Sequence, residues 1–275
     1  MTKEDIVDDG ELLEALKFHH ESGIDSVLEE GDSCDGSVHL QESQDLAPEA
    51  SRPEVGELVT EAESKFSTDW VGAARSIAEK CSDLSELREA IESFEGCDIK
   101  KTALNTVFSD GNPDAKIMLV GEAPGSSEDR EGRPFCGASG MLLDKMLAAI
   151  GLNRQNTYIS NTTFWRPPGN RRPTDFELEV CRPFVEKHIA LVAPSILVLV
   201  GSTACYSLLG SPESISKLRG RWHKYANPFL ESKIDTAVIF HPAYLLRQPM
   251  QKRLAWEDLK MIRARIEQEK IRVSF

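Results

Sequence analysis

Apolar residues follow two alternating rhythms along the last two-thirds of the chain. Ile117-Met118-Leu119-Val120 before Gly121, Ile196 to Val200 before Gly201, and Ala237-Val238-Ile239-Phe240 before His241-Pro242 are short unbroken runs. Runs of this length suit strands buried on both faces, as in a parallel sheet. Tyr158-Ile159-Ser160, leading to Asn161, predicts a fourth strand. Between the runs the period changes to that of a helix. Leu142, Leu143, Met146, Leu147 and Ile150 line one face of residues 140–150, which Gly151 stops. Thr174-x-x-Glu177 is a capping box opening a helix over 174–193, where Pro183 predicts a kink or a later start. Leu254 to Gln268 predicts a closing helix, and Leu84, Leu87, Ile91 and Phe94 mark a helical face within 70–95. Strands alternating with helices imply an α/β three-layer sandwich, with a central, mostly parallel sheet flanked by helices. Functional loops in such sheets follow the carboxyl ends of strands, where Glu122, Asn161 and His241 stand here.

The N-terminal third has a different composition. Leu12, Leu13 and Leu16 predict a short helical segment within 1–30, with Gly23 as a break. Residues 31–68 are rich in Asp, Ser, Glu, Gln and Pro and are expected to be an acidic, disordered linker before a domain over 69–275. A length of 275 residues, 40% hydrophobic and 28% charged, fits one or two globular domains. The apolar runs are too short to span a bilayer, and Met1-Thr2-Lys3-Glu4-Asp5 does not start a secretion signal, so no membrane partner is expected. Six cysteines without a CxxC pair fit a reducing, cytoplasmic location. The net charge of -13 argues against a polyanionic partner until its distribution is considered. Residues 1–80 hold 21 acidic and 6 basic side chains, and the remainder hold 24 and 26. The acidic excess therefore lies outside the α/β region, whose local basic clusters remain available to phosphates.

The loop Gly121-Glu122-Ala123-Pro124-Gly125-Ser126-Ser127-Glu128-Asp129 follows a strand. Alone it is as consistent with a plain tight turn as with an anion-binding turn, and it lacks the Gly-Lys-Ser/Thr end of a nucleotide-binding loop. Its neighbours are more specific. Arg133-Pro134-Phe135 comes next, then Asn161 and Trp165-Arg166-Pro167-Pro168-Gly169-Asn170-Arg171. Arg219-Gly220-Arg221-Trp222 and His241-Pro242-Ala243-Tyr244-Leu245-Leu246 follow. In this order, over about residues 95–265, the motifs resemble those of family 4 uracil-DNA glycosylases. The nearest likeness is to an alphaproteobacterial-type branch that has an N-terminal segment resembling Leu13 to Ile24.

The resemblance implies the uracil-DNA glycosylase fold and a monofunctional hydrolase that flips uracil out of DNA and leaves an abasic site, a step of base excision repair. It implies that Gly121, Ala123, Pro124 and Gly125 wall the substrate pocket, that Phe135 stacks on the flipped base and that Asn161 reads its edge. His241 would stabilise charge on uracil O2, and Glu122 and Glu128 are the candidate carboxylates. Glu128 is expected to handle water and Glu122 to hold the loop, because Ala123 stands where better-known relatives carry an Asp. Arg166, Arg171 and Arg172, and a second cluster of Lys217, Arg219, Arg221 and Lys224, are expected to grip DNA, with Leu245, Leu246 and Arg247 where the family inserts a wedge into the duplex gap, although each basic cluster equally fits a solvated face. The family carries a 4Fe-4S cluster on four cysteines. Cys97 and Cys181 match two of those positions, whereas Phe94 and Trp165 occupy the other two, so no cofactor is expected. Residues 162–173 contain no His, which argues for turnover over covalent capture of the base. Uracil-containing DNA is the expected partner of a nucleoid-associated monomer. Repair or replication proteins are further candidates for the acidic N-terminal segment. The alternative is a DNA-damage binding module that retains the fold without catalysis.

Overall fold

The structure, a computed structural model, describes residues 69–271. The expected N-terminal helical segment and acidic linker lie outside the described residues.

Two helices, α1 (Trp70–Lys80) and α2 (Leu84–Ser93), replace the single helical stretch expected there. Each starts on an aspartate. Asp69 accepts from the Gly72 N–H at 2.8 Å, and Asp83 accepts from the Ser85 and Glu86 N–H groups at 2.8 and 2.9 Å. Satisfying these otherwise unpaired donors fixes where a helix begins. The strands are β1 (Asp110–Gly111), β2 (Ile117–Gly121), β3 (Tyr158–Asn161), β4 (Ile196–Val200), β5 (His223–Tyr225) and β6 (Ile234–Ile239). They form one sheet in the order β1-β3-β2-β4-β6-β5. The inner four run parallel, and the edge strands β1 and β5 run antiparallel. The edge pair has no apolar run, which is why patterning did not reveal it.

The connecting helices are α3 (Ser126–Glu131), α4 (Ala138–Ala148), α5 (Asp175–Val192), α6 (Ser202–Leu209), α7 (Ile215–Leu218), α8 (Pro242–Arg247) and α9 (Lys252–Gln268). Helix α5 opens at the predicted Thr174 cap and runs on through Pro183, so the later start is not observed. Side chains alternate across the inner strands. Met118, Val120, Leu197, Leu199 and Val238 pack with α1, α2, α5 and α6. Ile117, Leu119, Ile196, Val198, Val200 and Ile239 pack with α4 and α9. Burying each such side chain contributes about 1.5–3 kcal/mol, so the two faces together stabilise a three-layer sandwich. No helix among the described residues is long and apolar enough to cross a membrane.

Parallel pairing places Gly121 opposite Asn161 and Val200 opposite Ile239. The loops after β2, β3, β4 and β6 therefore leave the sheet along one edge.

His188, on α5, is fully buried against Phe108, at a ring separation of 4.3 Å, with Phe164 at 6.4 Å. Its Nε2 shares a hydrogen bond with the Tyr158 hydroxyl at 2.9 Å, and its Nδ1 has no partner. Burial pushes the imidazole down from its ordinary 6.5 to about 3. Above pH 6.5 both folded and unfolded chains hold it neutral. Below that value the unfolded chain takes up the proton first, and stability is lost as pH falls towards about 3. The loss approaches about 1.4 kcal/mol per pH unit. Urea unfolding midpoints are expected to fall across this window, and to fall less steeply in His188→Phe. An unchanged slope in the variant would refute the assignment.

Candidate active site

A cavity of about 760 Å³ lies where the strand-end loops meet. Glu122, Ala123, Pro124, Gly125, Glu128, Phe135, Asn161 and His241 all line it, as do Gly201, Arg171, Arg172, Tyr244 and Arg247. Gly121 lies behind them. A Cβ there would come within 2.4 Å of the Phe135 ring and 2.6 Å of Asn161 Oδ1. Its lack of a side chain lets the aromatic ring and the amide close on the end of β2.

Phe135 has a φ of +52°, a left-handed conformation that an aromatic residue adopts at a cost of about 1–3 kcal/mol. Two residues absent from the sequence-based assignment hold it. Arg154 donates to the Pro134 carbonyl at 3.1 Å and to the Phe135 carbonyl, and pairs with Asp110 at 2.5 Å and Asp144 at 2.9 Å. Gly140 passes so near that a Cβ would sit 1.6 Å from the Phe135 carbonyl oxygen. Arg154 lies in a polar turn between motifs, and only its distant partners reveal its role.

The two carboxylates have different partners. Glu128 Oε2 accepts from the Gly125 N–H at 3.1 Å, and Oε1 accepts from the Cys136 and Gly137 N–H groups at 3.0 and 2.9 Å. Gly125 caps α3 and Gly137 caps α4, so one anion joins two helix N-termini, where it is favoured by their dipoles. Both of its oxygens accept from backbone N–H groups. Glu122 accepts one side-chain hydrogen bond, from Thr203 Oγ1 to Oε2 at 2.6 Å. Its backbone carbonyl accepts from the Thr162 and Thr163 N–H groups, tying the loop after β2 to that after β3.

His241 caps α8, and its Nδ1 accepts from the Ala243 N–H at 3.2 Å. Burial holds the imidazole below its ordinary range, although Glu122 and Glu128 pull the other way. A neutral ring that accepts at Nδ1 carries its proton on Nε2, which makes that nitrogen a donor. The ring lies 5.7 Å from that of Phe135, centre to centre. Gly201, with φ +97°, admits it: a Cβ there would stand 3.0 Å from His241 Cβ.

The expected DNA-gripping residues separate into two groups. Leu245 is fully buried and cannot enter a duplex gap; Leu246, its neighbour, is 45% exposed. Arg219 pairs with buried Asp258 at 2.8 Å, donates to the Leu254 carbonyl and lies over the Phe240 ring, so it braces the fold. Arg171 holds Glu177 through two bonds of 2.8 and 2.6 Å while lining the cavity, and Arg221 pairs with Glu213 at 2.6 Å. Arg166 donates to Asn170 at 2.7 Å, and Arg247 lines the cavity.

In the core layer shared with α1, α2, α5 and α6, Cys97 and Cys181 are buried in mutual contact. A hydrogen bond from Cys181 holds the Cys97 thiol down, and the same bond pushes Cys181 up. Phe94 fills the adjacent space edge-on to Trp70 and Phe184, with ring centres 5.9 and 5.1 Å away. Trp165 is buried beside Phe164, its indole N–H donating to Thr106 at 3.0 Å. Two thiols and two packed aromatics do not supply the four thiolates of an iron-sulfur cluster.

A strand-edge cavity combining an aromatic face, an amide, a neutral imidazole donor and a carboxylate suits an enzyme that binds a flat heterocycle and stabilises charge upon it. Within that class the sequence is specific. Residues 108–260 match the family profile described as "Uracil DNA glycosylase superfamily". Relatives named "Type-4 uracil-DNA glycosylase" occur in Sulfurisphaera tokodaii, 38% identical over 66% of this chain and 83% of that protein, and in Archaeoglobus fulgidus, 36% identical over 65% and 91%. Another, in Thermotoga maritima, is 37% identical over 66% of this chain and 93% of that protein. The chain belongs to the uracil-DNA glycosylase superfamily.

Removing Glu128 frees three backbone donors, whereas removing Glu122 frees one hydroxyl. Glu128→Ala is expected to lower the unfolding free energy by about 2–4 kcal/mol and Glu122→Ala by about 1 kcal/mol or less. Equal losses in denaturant titrations would contradict the division of roles.

Proposed function

We infer that this chain is a monofunctional glycosylase that hydrolyses the bond between uracil and deoxyribose in DNA, leaving an abasic site for base excision repair. The observation that carries this reading is that His241, held below its ordinary range by burial and accepting at Nδ1, lines the same cavity as Phe135 and Asn161. A base inside a duplex is unreachable, so the nucleotide is turned out into the cavity. Phe135 offers a stacking face, and the Asn161 amide offers one donor and one acceptor to the N3–H and O4 edge of uracil. As the C1′–N1 bond breaks, its electron pair moves onto uracil, and the His241 Nε2–H stabilises the charge that collects at O2. A neutral donor suits this role, because it stabilises the leaving anion without proton transfer. The sugar develops positive charge at C1′. The Glu122 carboxylate offsets that charge and orients the attacking water, which adds its oxygen to C1′ and loses a proton to solvent through that carboxylate.

Arg171 and Arg247 line the cavity and would meet the phosphates beside the flipped nucleotide. Leu246, exposed and next in sequence to Arg247, would fill the vacated stack. Such an enzyme works as a monomer on chromosomal DNA in the cytoplasm. Partner proteins would be recruited by the acidic N-terminal segment, which lies outside the described residues.

Alkaline cleavage of a uracil-containing oligonucleotide after incubation tests the activity. Wild type is expected to yield a cut strand, and His241→Ala to cut about 10²- to 10³-fold more slowly in single turnover. An uncut strand with wild type, or an undiminished rate in the variant, would sink the mechanism.

The Cys97–Cys181 site supports a second reading, that the enzyme works without an iron-sulfur cluster. Protein purified anaerobically is expected to lack stoichiometric iron and sulfide and the broad visible absorbance of a cluster. Stoichiometric iron with sulfide overturns this.

A further inference from the structure

Thr203 is the second residue of α6, and 2% of its surface is exposed. Its hydroxyl stands between two charged side chains that come from other loops. Arg172, between β3 and α5, donates from Nη2 to Thr203 Oγ1 at 2.7 Å. Glu122, after β2, accepts from the same oxygen at 2.6 Å. A guanidinium can only donate, so it occupies a lone pair of the hydroxyl and leaves the single hydroxyl proton for the carboxylate. The direction of both hydrogen bonds is thereby determined. Arg172 and Glu122 both line the cavity, while Thr203 lies buried behind them.

We propose that Thr203, backed by Arg172, is a positioning residue that holds the Glu122 carboxylate in one orientation at the reacting sugar. The proposal rests on the glycosylase reading of the cavity and adds a residue pair to it. Glu122 accepts no other side-chain hydrogen bond among the described residues, so without Thr203 its carboxylate would rotate among several conformers. Orientation matters because a reacting group displaced by about 1 Å can lose about 100-fold in rate. Arg172 serves as well by charge as by hydrogen bonding. Its guanidinium polarises the hydroxyl, strengthening the bond that the hydroxyl makes to the carboxylate. The arrangement links three strand-end loops through one oxygen atom.

Single-turnover excision of uracil and equilibrium binding to the same oligonucleotide, measured side by side, test this. Thr203→Val keeps the shape of the side chain and removes the hydroxyl. It is expected to lower the excision rate by about 10- to 100-fold and leave the dissociation constant within about twofold. Thr203→Ser keeps the hydroxyl and is expected to recover most of the rate. In a Glu122→Gln background, Thr203→Val is expected to have little further effect, because the group it positions is already altered. A fully additive loss there, or an equal loss in Thr203→Ser, would show a merely structural role and overturn the proposal. Arg172→Gln is expected to lower the rate more than the affinity. Weakened binding with an unchanged rate would make Arg172 a phosphate ligand and remove it from the relay. An inactive wild type would refute the glycosylase reading itself, whereas an active wild type with an equally active Thr203→Val would refute the relay alone.

Discussion

Four parallel strands held in register are the constraint on which the cavity depends. Because β3, β2, β4 and β6 run the same way side by side, the residues that follow them come together along one edge. Glu122, Asn161, Gly201 and His241 meet there although more than 100 residues separate the first from the last. A shift of one residue in any strand would turn its core-facing side chains to the opposite layer. The two apolar cores that lock the register therefore also set the spacing of the groups that line the cavity.

Within that frame the loops are held mainly by ionic and polar braces. Glu128 joins the N-termini of α3 and α4, and Arg154 clamps the strained turn at Phe135 that lies between them. The Phe135 ring is thus held in place at the cavity wall. Preorganisation of this kind reduces the ordering required on binding and keeps dipoles aimed at charge that exists only in the transition state. Burial also acts on His241, holding its imidazole below the ordinary range. Charged side chains resembling a DNA-binding surface in the sequence are partly used for the same purpose. Arg219, bound to Asp258, and Arg171, bound to Glu177, stiffen the loops they belong to.

The half-filled cysteine site gives a view of how the fold holds together on the face away from α4 and α9. Phe94, Trp70 and Phe184 pack edge to face, and a Cβ on Gly96 would come within 2.4 Å of Phe94 and 2.5 Å of Trp70. Aromatic packing of this type links α1, α5 and the segment after α2 through dispersion and buried area. The Cys97 and Cys181 thiols satisfy one another inside this layer. The catalytic edge and this layer are joined through Trp165 and the following Arg166 to Arg172 segment, whose last residue reaches Thr203.

Much of this protein was legible in its sequence because local pattern determined it. Unbroken apolar runs identified the inner strands, since both faces of a parallel sheet are buried, and Thr174 with Glu177 located the start of α5. Ordered motifs identified Phe135, Asn161 and His241, which line one cavity. Tertiary structure decided what depends on partners distant in the chain. It showed that Glu128 faces backbone donors, that Leu245 points into the core, and that Arg154 and Thr203 support residues 19 and 81 positions away. The physical reason is that a motif specifies which groups are present. Which hydrogen bonds they form, and which groups remain free for chemistry, depends on neighbours brought close only when both faces of the sheet are covered.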